Sequence, residues 1–488
     1  MPRDQLLSLQ LLRHPRLEQA AELAPKVAAL LALLYLAAGY LKLPLLPVFG
    51  NDEVHYFANI QFQLVEDGRW LNYLLFRILT SVPLPLWSLL YLGLFWLVSY
   101  RLARLATLDK PFGALVASAL VLSTPVLEMS LWPASFVPAL LVTCVALALH
   151  ARGVRYPVIY VVSGILYFGT IQTLYFALPL LFLPRFLDAG QSMRARNMLL
   201  FKHMLWWVAG SAAGVLCMSV MLRMLIDIWF PQPAAWRQAN PVEDLSSLLQ
   251  NMAMVTDRFR FFLQRMLFLG GVTWTLAGVI LAVALLRIRA APAQVPALLA
   301  FSAVLISFFV FTLPMGTLIQ QRSLMAMAVA VLIGLALLPG RSAAGRLFSA
   351  VLLLNFAYHY SIQAQIHLET QRAETSTYVN RLRDLFPGYV SAYSALALEG
   401  TIDPAYPEAA RFNEASLMHP IIMSLGAREY LDCRIPSRCD RVGAASAPIA
   451  MVPFAGGRLE LAVDPARIGI VRYRPESEVT AGISGRAL

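Results

Sequence analysis

The residues best suited to chemistry stand where the first long apolar run ends, in Phe49-Gly50-Asn51-Asp52-Glu53-Val54-His55-Tyr56-Phe57. Two adjacent carboxylates at the mouth of an apolar segment repel each other and lose hydration, so a purely structural chain has little reason to place them there. A carboxylate held at that depth can take a proton from an attacking hydroxyl, or bind a divalent cation such as Mg or Mn. Neighbours on a helix point about 100° apart, so one of Asp52 and Glu53 would act while the other orients it. The bland alternative is a solvated interfacial loop in which Asn51 or Asp52 caps a helix starting near Val54.

Only the surrounding segments can position such a pair. The chain has 488 residues, 59% apolar and 14% charged, where soluble domains run at about 45–50% and about 25%. A soluble globular enzyme does not fit that balance. Disorder and a collagen-like repeat do not fit either, because Gly and Pro follow no period and 26 Phe, 18 Tyr and 9 Trp are too many. The apolar excess must face lipid, and a bilayer core about 30 Å thick takes roughly 20 helical residues to cross. About eleven apolar runs qualify, near 27–48, 84–100, 112–129, 134–150, 157–171, 173–185, 203–226, 266–286, 293–314, 323–340 and 346–363. The expected fold is an all-α polytopic membrane protein of about eleven transmembrane helices. The short runs 157–171 and 173–185 are read as a helical hairpin broken at Thr170-Ile171-Gln172-Thr173. Polar residues before the first run argue against a cleavable signal peptide.

Lys and Arg gather on the side that would share a compartment with the N-terminus, from Arg3, Arg13, Arg16 and Lys26 through Arg341 and Arg346. Cytoplasmic loops carry that excess, so residues 1–26 are expected inside. Residues 27–363 then form the transmembrane domain, with outside loops at 49–83 and 227–264, and 364–488 form a small mixed α/β extracytoplasmic region. The net charge of +11 reflects this bias toward an anionic leaflet and requires no nucleic acid. A helix is predicted to continue through Ala364 to Phe386, stopped by Pro387-Gly388, with a β-like stretch around 448–474. Leu245–Phe262 reads as an amphipathic helix on the membrane. Cys433 and Cys439, in Cys-Arg-Ile-Pro-Ser-Arg-Cys, suit a disulfide in an oxidising compartment, with two free thiols as the alternative.

Asn51-Asp52-Glu53, followed about fourteen residues later by Asp67-Gly68-Arg69-Trp70, resembles the opening of the polytopic glucosyltransferases that decorate O-antigen in serotype conversion, within the broad C-type glycosyltransferase class. The family carries an acidic pair in its first periplasmic loop and then a Gly-Arg-aromatic element; Asp52-Glu53 stands here where two Asp are commoner. A Tyr-Gln step at the hairpin tip is matched only by Gln172, with Tyr175 one turn on, and an Arg at the outer start of a late span by Gln321-Arg322-Ser323. The resemblance implies transfer of a hexose, typically glucose, from a polyprenyl-phosphate sugar to a lipid-linked glycan such as O-antigen on the periplasmic face of a bacterial inner membrane.

A carboxylate would take the proton from the acceptor hydroxyl as it attacks the anomeric carbon, inverting it in a single displacement. An Arg would receive the leaving phosphate, which needs no general acid. Candidate donor-phosphate ligands are Arg322, Arg69 and Arg223. Arg322 can equally snorkel to lipid phosphate, Arg69 pair with Glu66 or Asp67, and Arg223 pair with Asp227. Candidate sugar or acceptor contacts are Gln172, Tyr175, Trp132 and Trp70, although an interfacial aromatic belt would use the same aromatic residues. Glu128 is the reserve base. His55, His359 and His367 have no metal-ligand spacing; a Mg or Mn ion at Asp52 or Glu53 is the one cofactor under consideration. The expected partners are thus the sugar donor, the glycan acceptor and membrane lipids. The rival readings are an O-antigen polymerase or ligase, for which the Arg237–Arg260 stretch speaks, and a lipid-linked sugar transporter or flippase. A transporter usually carries charges along mid-span, and these spans are almost free of them.

Overall fold

A computed structural model describes residues 15–40, 62–79, 84–106, 108–130, 132–188, 190–232, 240–269, 324–337, 342–406, 425–433 and 439–476, with scattered positions in 275–316 and 412–422. In chain order its helices are α1 (Pro15–Tyr40), α2 (Phe62–Asp67), α3 (Trp70–Leu79), α4 (Leu84–Leu105), α5 (Lys110–Leu122), α6 (Thr124–Met129), α7 (Pro133–Ala151) and α8 (Tyr156–Phe168). A 3₁₀ helix (Gln172–Phe182) follows, then α9 (Leu183–Leu187), α10 (Met193–Ile226), α11 (Leu245–Phe261) with a π-helical extension (Phe262–Leu267), α12 (Met325–Leu337) and α13 (Ala343–Leu385). Two compact units divide between Ile366 and His367. α13 contributes 343–366 to the first and 367–385 to the second.

The first unit is helical. Among the described residues, four helices are long and apolar enough to cross a membrane: Leu17–Tyr40, Leu86–Leu105, Pro133–Ala151 and Met193–Ile226. Four shorter apolar helices, α3, α5, α8 and α12, accompany them. The expected count of about eleven is therefore not reached among the described residues. Most of the runs near 266–286 and 293–314 lie outside those residues. The run at 112–129 is two helices, because at Ser123 the chain turns extended, its N–H returns to the Leu120 carbonyl, and Pro125 opens α6. The run at 173–185 is mostly 3₁₀ rather than α, with Pro179 inside it. At about 2.0 Å rise per residue such a segment reaches further than an α-helix of the same length, which advances about 1.5 Å.

The outward faces of the long helices are apolar. Leu23, Leu30 and Leu34 on α1, Leu86 and Leu89 on α4, and Phe201, Leu205, Val208, Leu216 and Met224 on α10 are all exposed. Where α8 and α10 meet, the facing residues are small and the backbones close. A Cβ on Gly164 of α8 would strike the Gly210 carbonyl of α10, and one on Gly214 would lie 2.7 Å from the Gly164 carbonyl. Gly210-Ser211-Ala212-Ala213-Gly214 is the small-xxx-small pattern that lets helix backbones approach in a lipid solvent. Against the same face, the Tyr175 hydroxyl donates to the Trp207 carbonyl (2.6 Å) and the Trp207 indole donates to the Tyr175 carbonyl (3.2 Å). This reciprocal pair fixes the 3₁₀ helix to α10.

The second unit holds a five-stranded mixed sheet in the order β2-β1-β5-β4-β3, from β1 (Ala395–Glu399), β2 (Tyr430–Asp432), β3 (Ala450–Phe454), β4 (Gly457–Val463) and β5 (Ile468–Pro475). β1 runs parallel to β2 and β5, while β3-β4-β5 form an antiparallel meander. Alternation along β1 sends Leu396 and Leu398 into a core with Leu382, Leu385, Phe412, Phe454 and Val471. Ala395 and Ala397 join Leu431, Ile468 and Ile470 in a second core. The β3–β4 hairpin closes through Ala455 (φ 46°) and Gly456 (φ 68°), the two-residue turn whose twist suits a hairpin. Cys433 and Cys439 form a disulfide just after β2.

Candidate functional site

The element Asp67-Gly68-Arg69-Trp70 is the joint between α2 and α3. Gly68 takes φ +69°, a left-handed backbone that favours glycine, and it packs against the Met218 side chain. In this turn the Gly68 N–H donates to the Leu64 carbonyl (3.1 Å) and the Trp70 N–H to the Gly68 carbonyl (2.8 Å). The turn brings Arg69 Nη2 to 2.9 Å from Asp67 Oδ2, with both side chains nearly buried at 14% and 10% exposure. A guanidinium shielded to that degree keeps one orientation, which is what recognition of an oxyanion requires.

The other half of the site comes from the break after α8. Orphan N–H groups at a helix start need acceptors, and here one carbonyl serves two of them. Gly169 accepts from Leu71 (2.8 Å) and from Asn72 (3.1 Å). Trp70 lies directly against Gly169, where a Cβ would approach the indole Cε2 to 2.7 Å. Gln172 Nε2 donates to the Asp67 carbonyl at 3.4 Å, across 105 residues of chain. The Gln232 N–H donates to the Val65 carbonyl (2.8 Å) and Asn72 Nδ2 to the Ser135 carbonyl (3.0 Å). Arg69, Trp70 and Gln172 are thus brought to one junction, and Asn72 is its fully buried anchor.

The other sequence-derived candidates lie as follows. Trp132 is buried at the start of α7, and Tyr175 is fully enclosed with its hydroxyl committed to Trp207. Glu128 is half-buried on α6. Arg223 pairs with Asp227 at 2.6 Å and lies 5.6 Å over the Trp229 ring, on an exposed surface. Asp52, Glu53 and Arg322 lie outside the described residues, and with them the expected Mg or Mn position. Among the described residues one group has the composition of a metal site, Glu399 with Cys433 and Cys439. Its sulfurs are joined in the disulfide and its carboxylate accepts from Arg472 Nε at 2.6 Å, so that donor set does not fit an ion.

α11 runs Leu245–Phe261, within one residue of the amphipathic helix read from the sequence. Asp244 caps it by accepting from the Ser247 N–H at 2.7 Å. That bond, with the Ser247 hydroxyl, holds the Asp244 carboxyl below its usual range.

Two features of the site escape sequence reading. Asn72 stands in Leu71-Asn72-Tyr73-Leu74, and an amide among apolar and aromatic neighbours was the available signal. Gly169 gave none, because its importance lies in what its carbonyl and missing Cβ meet. No protein-family model, curated protein or solved structure matches the chain.

Proposed function

We propose that the chain is a membrane hexosyltransferase that moves a hexose, in the first instance glucose, from a polyprenyl-phosphate sugar to a hydroxyl of a lipid-linked glycan at the outer face of a bacterial inner membrane. One observation carries this reading. Asp67-Gly68-Arg69-Trp70 and Gln172, grouped at first only by resemblance, are joined through the Gly169 carbonyl and the Gln172–Asp67 contact.

In this reading Asp52 or Glu53 removes the acceptor proton as the oxygen attacks the anomeric carbon. The sugar–phosphate bond breaks on the opposite face, and Arg69, its plane set by Asp67, receives the phosphate with Arg322. Trp70 offers its ring to the sugar and Gln172 ties the junction together. Tyr175 and Trp132, enclosed in the helical unit, serve packing. Apolar stripes on α1, α4 and α10 support a lipid setting in which a prenyl-linked donor is at hand. The polymerase or ligase alternative rests on Arg258 and Arg260 in the last turn of α11.

The test is transfer of labelled hexose from the polyprenyl-phosphate donor to lipid-linked glycan by purified protein, with and without chelator. Wild type is expected to transfer, and Asp52→Asn or Glu53→Gln to abolish turnover, with Arg69→Ala lowering it at least tenfold. Chain extension or lipid flipping in place of transfer would replace this reading with the rival that matches.

A further inference from the structure

The second unit carries a groove of about 750 Å³ between α13 and the β3–β4 hairpin. Its walls are Thr377 and Arg381 on one side and the strand pair from Met451 to Arg458 on the other, with Glu476 after β5. Thr377 and Arg381 are four residues apart and therefore share one exposed face of the helix. The volume lies within the roughly 300–1,000 Å³ of small-ligand sites, enough for a short ligand and too little for a folded partner.

The groove's chemistry narrows the occupant. β3 is an edge strand, a position open to strand addition, but Pro453 within it lacks an N–H and faces Arg458 in the register. An extended peptide would find its ladder interrupted there. A polyanion fits no better. Arg458 is already bound to the nearly buried Glu460 at 2.7 Å, a carboxylate that also takes Arg474 at 3.5 Å, so of the two arginines in the lining only Arg381 makes no ion pair among the described residues, a single charge for a polyanion. What remains is the Thr377 hydroxyl, which donates to the Ala373 carbonyl at 2.9 Å and keeps its lone pairs, with the Arg381 guanidinium and the Glu476 carboxylate, beside the exposed apolar surfaces of Met451 and Pro453. Hydrogen-bonding groups of both polarities over an apolar floor match a neutral polyol, whose hydroxyls donate and accept while its C–H faces lie on apolar atoms.

We infer that this groove binds a short stretch of neutral oligosaccharide. Its identification as the outer sugars of the acceptor glycan rests on the transferase reading; the groove itself does not.

The experiment uses the full-length protein in nanodiscs on an array of neutral, uronate-bearing and phosphorylated bacterial oligosaccharides. Arg381→Glu and the double variant Thr377→Ala/Arg381→Ala are compared with wild type, their folding checked by circular dichroism. Retention of neutral oligosaccharides by wild type, reduced at least tenfold in both variants, is the expected result. Retention of no glycan, of acidic glycans alone, or retention equal in all three proteins overturns the inference. Transfer assays separate the two ideas. Binding without transfer in wild type defeats the transferase reading and leaves the groove. Transfer with an acceptor KM unchanged in the groove variants defeats the groove's identification as the acceptor's site and leaves the transferase.

Discussion

Both units of this chain bury large apolar side chains, but they differ in what they leave exposed. In the helical unit, α8 and α10 meet through Gly164, Gly210 and Gly214, while Leu216 and Met224 of the same α10 stand 68% and 75% exposed. In the second unit Leu382, Leu385, Leu396, Leu398 and Phe412 are all but inaccessible and line one core behind a sheet. The contrast follows from the solvent each face meets. In water, transfer of apolar area out of solvent drives packing at roughly 25 cal/mol per Å². In lipid that drive is absent between helices, so close backbone approach and satisfied polar groups decide which faces meet. Asn72, Tyr175 and Trp207 show the second regime at work: each donates a side-chain hydrogen to a carbonyl of another segment.

The sharpest way to break this contrast is Gly210→Leu. The added side chain would meet the Tyr160 carbonyl and the Tyr175 hydroxyl, a backbone clash expected to cost at least the roughly 3 kcal/mol at the upper end for overpacking. Thermal unfolding in detergent should show the helical transition lost or strongly lowered. The disulfide-bearing unit should stay folded, as judged by protection of the Cys433–Cys439 bond from reductant. A common collapse of both units would remove the distinction drawn here.

Asp67→Asn comes next. Removing one partner of a nearly buried ion pair is expected to destabilise by about 3 kcal/mol, the low end for such pairs, and to lower transfer along with it. Asp67→Asn combined with Arg69→Met should recover stability without activity. Recovery of both would assign the pair to structure alone.

For the second unit the corresponding cut is Cys433→Ser with Cys439→Ser. The loop it opens is short, so the chain-entropy argument gives about 2 kcal/mol. The melting of the sheet should fall while the helical unit is unmoved.

The smallest effect is that of pH on α11. The Asp244 carboxyl is held below its usual value, so the cap stabilises the helix at any pH above the unfolded value of about 3.9. That contribution fades as pH falls below about 3.9 and through the lowered folded value. Amide exchange at Leu245–Leu248 should accelerate over that acid range in wild type. Asp244→Ala should exchange fast already at neutral pH.

Much of the layout was legible in the residues. The end of α13 at Leu385, one residue short of Phe386-Pro387-Gly388, and the strands after Ala450 followed from breakers and alternation, and α11 from its amphipathic period. The 3₁₀ segment at Gln172–Phe182 was not legible, since apolar content is the same for a 3₁₀ and an α-helix, and the Tyr175–Trp207 pairing that holds it is a tertiary contact. Arg69 and Trp70 were visible as residues of chemical promise. The hold of the Gly169 carbonyl on the following Leu71 and Asn72 was not, because a backbone carbonyl leaves no mark on a sequence.

The sequence by itself determined which surfaces suit lipid and which turn away from water into a core, because that depends on composition and period, which are summed along the chain. Only the tertiary structure decided that Asp67 and Gln172, 105 residues apart, share one junction. Such a meeting depends on how closely helices can approach, and hence on the absence of a Cβ at Gly164, Gly169 and Gly210.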